Sequence, residues 1–298
     1  MRFKPLFLVC LLAALPALCP GALPDDRSRV IDIDSFEALA AFSRLAARSD
    51  TAGIRVRLTA DIAAHGALLP IGSRLNMFSG EFDGQGHVIS NLVVLGPAGC
   101  QGLFGCIGSE GVVKNVCLAH ACVIGAEHAG GIAGRCLGRI EHCRVISSRI
   151  TNPARPLYGT SCGGIAGQAE GEIHGCAVVQ SVVCGPANAG GLCGELYGGV
   201  MDACAFSGLV ICTGVGQAPC GALAGSLLHE AAMRRCAGRG AVLSFLNEYA
   251  GDAAGGIFQR SEVSGCLAAG PCASPALVGL MEAVSGQPLS PRFQRAGQ

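Results

Sequence analysis

The residues in this chain that could do chemistry fall into three sets. The first is His229-Glu230-Ala231-Ala232-Met233, one residue short of the HExxH arrangement. That motif puts two His one helical turn apart on a zinc ion, with the Glu as base. Here Met233 stands where the second His would be, so no metal site is expected. The second set is the cysteines, 18 in all, with no CxxC pair of the kind that holds structural zinc. The third set recurs through the chain: Lys114, Glu141, His174, Asp202, Arg234 and Ser264 each directly follow an aliphatic residue or Met. The same short segments end in Cys143, Cys176, Cys204, Cys236 and Cys266.

Regular spacing of that kind points to repeats. Gly102-Leu103-Phe104-Gly105, Gly130-Gly131-Ile132-Ala133-Gly134, Gly163-Gly164-Ile165-Ala166-Gly167, Gly190-Gly191-Leu192-Cys193-Gly194 and Gly221-Ala222-Leu223-Ala224-Gly225 form one series, and a fading copy stands at Gly255-Gly256-Ile257-Phe258. With the blocks taken to close at 105, 134, 167, 194, 225 and 259, the spacings are 29, 33, 27, 31 and 34 residues. Each block is followed by a segment such as Ile140-Glu141-His142-Cys143, and most units carry a third apolar stretch such as Cys122-Val123-Ile124. Segments of three to five residues are too short for helices, and paired glycines would break the helices of ankyrin or tetratricopeptide repeats. An all-β, right-handed parallel β-helix of about six coils follows, with three apolar segments per coil and glycine at the corners for positive φ or close backbone approach. Loops such as 152–161, 214–220 and 245–254 swell from the corners without disturbing the stack.

The stacking gives each recurrent residue a place. Equivalent residues lie about 4.8 Å apart from coil to coil. The five repeated cysteines then form an inward column whose parallel Cβ vectors suit a disulfide badly, and they read as small buried apolar residues. Cys162 and Cys220 share a column but are separated by Ala189. Cys100, Cys106, Cys136 and Cys272 are loop cysteines with pairing open. By strand alternation Lys114, Glu141, His174, Asp202 and Arg234 face outward, as a charge ladder that helps fix register or as a ligand-binding strip. Glu141 and Asp202, two coils apart, are at the outer edge of the separation that paired carboxylates need for glycoside hydrolysis. Asp83-Gly84 and His87 read as turn residues.

The flanking regions divide the chain further. Residues 1–22 read as a signal peptide, with Arg2 and Lys4 before the apolar run Leu6 to Leu18. Residues 30–68 read as an N-terminal cap of one helix and one strand. The helix starts at Asp34-Ser35-Phe36-Glu37, with Glu37 placed to complete a capping box, and runs to about Arg48. Residues 69–274 form the β-helix and 275–298 a C-terminal cap and tail. After the signal segment no apolar run is long enough for a transmembrane helix. The expected location is secreted, periplasmic or cell-surface. With 21 basic and 21 acidic residues the chain lacks a phosphate-binding surface, which argues against nucleic acid as a partner. No cofactor is expected, since the glycine blocks repeat once per coil and no GxxxxGK[ST] occurs.

These blocks, together with the lead-in Pro70-Ile71-Gly72 and Phe78-Ser79-Gly80-Glu81-Phe82-Asp83-Gly84-Gln85-Gly86-His87-Val88-Ile89-Ser90-Asn91-Leu92, resemble the GLUG-motif proteins over residues 30 to 270 or so. The resemblance implies a β-helix of the kind found in bacterial adhesin-like proteins and in non-catalytic regions of immunoglobulin-A metallopeptidases. It implies no catalytic residue. The expected function is therefore an exported adhesin-like or structural surface protein that binds glycans or host and matrix proteins. The alternatives are a polysaccharide-acting β-helix enzyme, glycosidase or lyase, and a scaffold or assembly subunit.

Overall fold

The computed structural model describes residues 30–268 except 97–98, 154–158, 217, 248–249 and 252. The segments read as signal peptide and C-terminal cap, and Cys272, lie outside the described residues. The chain is a parallel β-helix of four sheets, in which every strand pair is parallel and each strand pairs with its equivalents one repeat before and after. One sheet has nine strands, from Val30–Ile33 through Arg55–Leu58 and Glu81–Asp83 to Glu262–Ser264, which makes about eight turns. The expectation of about six counted glycine blocks. The additional turns come from Val30–Ile33, Arg55–Leu58 and Glu81–Asp83, which join the same sheet before the first block.

Six successive coils, starting from the one that Glu81–Asp83 opens, run from this first sheet around a corner into a second, then through two six-stranded sheets that meet at the glycine block. Four sheets replace the three expected segments because each block is itself two strands. His128–Gly130 and Ala133–Cys136 lie on either side of Ile132, for example. The apex residues Leu103, Ile132, Ile165, Leu192 and Leu223 are wholly buried. The block glycines are required for close approach, and none has positive φ. A Cβ on Gly134 would lie 2.5 Å from the Gln101 backbone nitrogen, so only glycine lets the fourth sheet fold against the third. Register also corrects the last repeat. Gly221 pairs with Gly251 and Ala224 with Ala254, so the sixth block closes at Gly255 rather than at 259.

The corner between the first and second sheets uses left-handed backbone at residues that are often not glycine. Asn115, His142, Ala203 and Arg235 have φ of 56°, 53°, 54° and 49°, and Gly175 and Gly265 continue the column. The core is built from in-register columns such as Phe82, Val113, Ile140, Ile173, Met201, Met233 and Val263. At its N-terminal end the helix Phe36–Ala46 buries Leu39, Phe42 and Ala46, and Phe42 meets Phe78 edge-on at 6.3 Å. Ser35 is the N-cap, accepting from the Ala38 N–H at 3.4 Å. Glu37 therefore sits one position too early for a capping box, and pairs with His65 at 3.0 Å instead.

Candidate functional site

The outward column lies in the first sheet. Lys114, Glu141, His174, Asp202, Arg234 and Ser264 are successive register partners, and Asp83 extends the column one coil earlier. The charges do not simply pair along the column. Lys114 reaches diagonally to Glu81 at 2.6 Å and stands 3.8 Å from Asp83. Its ammonium is held above its ordinary value chiefly by the Glu81 hydrogen bond. Glu141 lies 3.8 Å from Arg139. Asp202 is gripped by Arg235, not Arg234, with Nε donating at 2.9 Å, and His174 Nδ1 stands 3.5 Å away. The Arg235 hydrogen bond is the main cause that holds the Asp202 carboxyl below the usual range. Arg235 can do this because it occupies the left-handed corner position, beside the strand end.

Beside this column the corner opens into a groove of about 530 Å³. Its walls include Asp83, Gln85, Asn115, Cys117, His142 and Arg144. Asp83 ends the strand Glu81–Asp83, and its Oδ1 accepts from the Gln85 N–H of the following turn at 2.9 Å and from Asn115 Nδ2 at 3.0 Å, which fixes the carboxylate in the groove wall. His142 packs edge-on against His174 at 5.5 Å between ring centroids, which ties the groove to the column. The left-handed backbone turns Asn115 and His142 out of the strand direction and into this corner. His87 is separate, 3.1 Å from Asp61.

Two further arrangements were missed at the level of sequence. The residue after each block's closing glycine forms the column Cys106, Arg135, Gln168, Glu195, Ser226 and Gly256 in the fourth sheet. Near the bend it makes a buried polar seam. Gln168 Nε2 donates to Glu195 at 2.7 Å, Asn188 Nδ2 donates to Glu195 at 3.1 Å, and Ser226 Oγ donates to Asn188 at 3.1 Å. Arg135 pairs with Glu170, its Nε donating at 3.0 Å. Burial raises the Glu195 carboxyl, against the lowering hydrogen bond from Gln168. The signal was available as the polar residue directly after four of the glycine blocks, Arg135, Gln168, Glu195 and Ser226.

The second is in the cysteine column, where the thiols are more than apolar filling. Sγ of Cys176 accepts the Cys143 N–H at 3.4 Å, Sγ of Cys204 accepts the Cys176 N–H at 3.4 Å, and Sγ of Cys266 accepts the Cys236 N–H at 3.4 Å. Each thiol donates to the carbonyl two residues back, as Cys204 does to Asp202 at 3.2 Å. Ser148 and Ser181 repeat this pattern in the second sheet. They accept the N–H groups of Ala121 and Ser148 at 3.0 and 3.1 Å and donate to Ile146 and Val179 at 2.8 and 2.9 Å. The five column cysteines carry no disulfide. Cys204 is pushed up to about 12, first by its hydrogen bond with Cys176, so it stays a thiol.

The fold has a solved counterpart. The crystal structure of a Bacteroides ovatus protein assigned as an immunoglobulin A1 protease superposes with a TM-score of 0.62, covering 79% of this chain and 74% of that one. At 20% identity the likeness shows a shared fold. A stretch of 66 residues is 41% identical to Halomucin of Haloquadratum walsbyi. It covers 22% of this chain and spans about 1% of the length of Halomucin. No family model matches the chain.

The structure also decides the HExxH near miss. His229 and Glu230 lie in a turn with φ of 54° and 62°, and Met233 is an inward, wholly buried residue of the strand Ala232–Arg234. His229 stacks on Tyr197 at 4.0 Å. No group of three or more metal-ligating side chains occurs among the described residues. Among them, too, no helix is long and apolar enough to cross a membrane.

Proposed function

We propose that this chain is an exported, adhesin-like protein of the GLUG-motif kind that binds glycan along the corner joining the first and second sheets. The observation that carries this reading is the groove of about 530 Å³ beside the Lys114, Glu141, His174, Asp202 and Arg234 column. A glycan offers hydroxyls that both donate and accept, over a flat apolar ring face. The groove offers the Asp83 carboxylate, the Asn115 amide and the Arg144 guanidinium for hydroxyls, and the His142 ring as a stacking edge. These groups stand on or beside strands paired on both sides in the parallel sheets, so little ordering is needed on binding. Export is supported by the leader-like residues 1–22, and the adhesin reading by the resemblance of the glycine blocks to those of GLUG-motif proteins.

The test is a glycan array on the full-length protein, followed by titration calorimetry on any ligand found. Asp83→Ala and Arg144→Ala are expected to weaken binding about tenfold each, since a hydrogen bond to a charged group contributes about 1.5 kcal/mol or more. A blank array, or binding that neither substitution alters, rejects this reading. Release of reducing ends from a bound polysaccharide, lost on changing Glu141 or Asp202, would favour the enzyme alternative instead.

A further inference from the structure

Two thiols at the glycine bend take no part in the hydrogen-bonded ladder of Cys143, Cys176, Cys204, Cys236 and Cys266. Cys100 opens the third-sheet strand Cys100–Gln101, and Cys106 lies on the fourth-sheet strand Phe104–Ile107. They belong to one coil, on opposite sides of the Gly102–Gly105 bend, so they approach from two sheets. The ladder cysteines, by contrast, come from successive coils and point the same way. A Cβ built on Gly134 would lie 2.6 Å from Cys100 Cβ, and its neighbour Arg135 is the register partner of Cys106. Cys100 therefore points across the bend at the sheet that carries Cys106.

The two thiols are electrostatically coupled, and Arg74 lines the same groove beside Cys100. Arg74 is anchored in turn by Glu127 at 2.7 Å. A groove of about 350 Å³ is lined by both cysteines, with Arg74, Leu69 and Leu75 in its walls. Cys100 is 7% exposed and Cys106 wholly buried, so a reagent entering the groove meets Cys100 first. Cys106, with help from Arg74, holds the Cys100 thiol below its ordinary range, while Cys106 is itself pushed up by Cys100. Glu127 opposes the first effect and Arg135 the second; His128 is the register partner of Cys100 in the next coil. Burial, the largest cause in each, moves Cys136, Cys162 and Cys193 the other way, away from reactivity.

We propose that Cys100 and Cys106 form a thiol–disulfide exchange site. The Cys100 thiolate attacks one sulfur of an external disulfide. That S–S bond breaks, one half leaves as a thiolate, and a mixed disulfide forms on Cys100. Cys106 then attacks Cys100 Sγ, expelling the second half as a thiolate that takes up the Cys106 proton. The pair is oxidised by two electrons and the external disulfide is reduced to two thiols.

Full-length reduced protein is mixed with glutathione disulfide near neutral pH, quenched with acid and mapped by mass spectrometry. Wild type should give a Cys100–Cys106 disulfide. Cys106→Ser should trap one glutathione on Cys100, and Cys100→Ser should leave Cys106 unmodified. Cys100 should react about tenfold faster or more than any ladder cysteine. Arg74→Gln changes a half-exposed surface side chain, so the fold is retained, and it should slow the reaction severalfold and move its pH midpoint upward. Glutathione appearing first on other cysteines, no adduct on Cys100 in Cys106→Ser, or an Arg74→Gln rate equal to wild type would each overturn the assignment.

Discussion

If the repeated thiols work as a hydrogen-bonded ladder, then what replaces Cys204 matters more than its size. Cys204 is 2% exposed, accepts the Cys176 N–H and donates to the Asp202 carbonyl. Cys204→Ala leaves the Cys176 N–H without an acceptor in a dry core, which costs about 1–3 kcal/mol. Sulfur is a weak acceptor, so the low end applies, about 1 kcal/mol. The lost sulfur volume adds about 1 kcal/mol, for a total near 2 kcal/mol. Cys204→Val fills the space without restoring the acceptor and should lose about 1 kcal/mol. Cys204→Ser keeps both bonds after closing a few tenths of an ångström, in the pattern that Ser148 and Ser181 already adopt, and should stay within about 1 kcal/mol of wild type. The predicted order of stability is Ser above Val above Ala. A purely apolar filler gives the opposite order for the first two, because a buried hydroxyl without partners is worse than a methyl. Urea unfolding under reducing conditions measures the order. Amide exchange at Cys176 measures the bond itself, and should quicken in the Val variant but not in the Ser variant. Val more stable than Ser, with Cys176 exchange unchanged in both, would refute the ladder.

Two other substitutions probe the glycine bend and the groups packed around it. In Gly194→Ala the new Cβ would lie 2.5 Å from the Cys162 nitrogen and 2.6 Å from both the Asn188 and Gly167 oxygens. All three are backbone atoms held by neighbouring strands, so thermal or urea unfolding should show a loss of about 3 kcal/mol or more. His128 is 6% exposed, bonded to Ser161 Oγ at 2.7 Å, and held down at about 4 by burial against an ordinary 6.5. Its depressed value means that the unfolded chain takes up the proton first. The neutral ring's contribution is complete above pH 6.5 and is lost as pH falls to about 4, by about 3 kcal/mol. Glu195, raised by burial, acts with the opposite sign. The comparison is therefore urea unfolding of wild type against His128→Gln across that window, in which only wild type should show this loss.

Much of this arrangement was written in the order of residues. A glycine block about every thirty residues, followed six to eight residues later by an aliphatic residue or Met, a polar residue and, after the first block, a cysteine, permits only a coil that stacks on itself. Once coils stack about 4.8 Å apart, like positions must form columns. That is why Lys114, Glu141, His174, Asp202 and Arg234 could be placed in one row, and why Cys162, Ala189 and Cys220 fall in line. What the order of residues left open belongs to distances across the coil, not along it. The first turns carry no glycine block, so the count came out short. The last block was misplaced because Gly251 and Gly255 enclose a weaker apex, Ala253. Long side chains reach diagonally, so Asp202 takes Arg235 from the corner and Lys114 takes Glu81 from the preceding coil. The meeting of Cys100 with Cys106, and the seam around Glu195, exist only because two sheets fold together at the bend. Periodicity specifies which residues lie above one another, whereas the folding of sheet against sheet decides which groups meet from opposite sides.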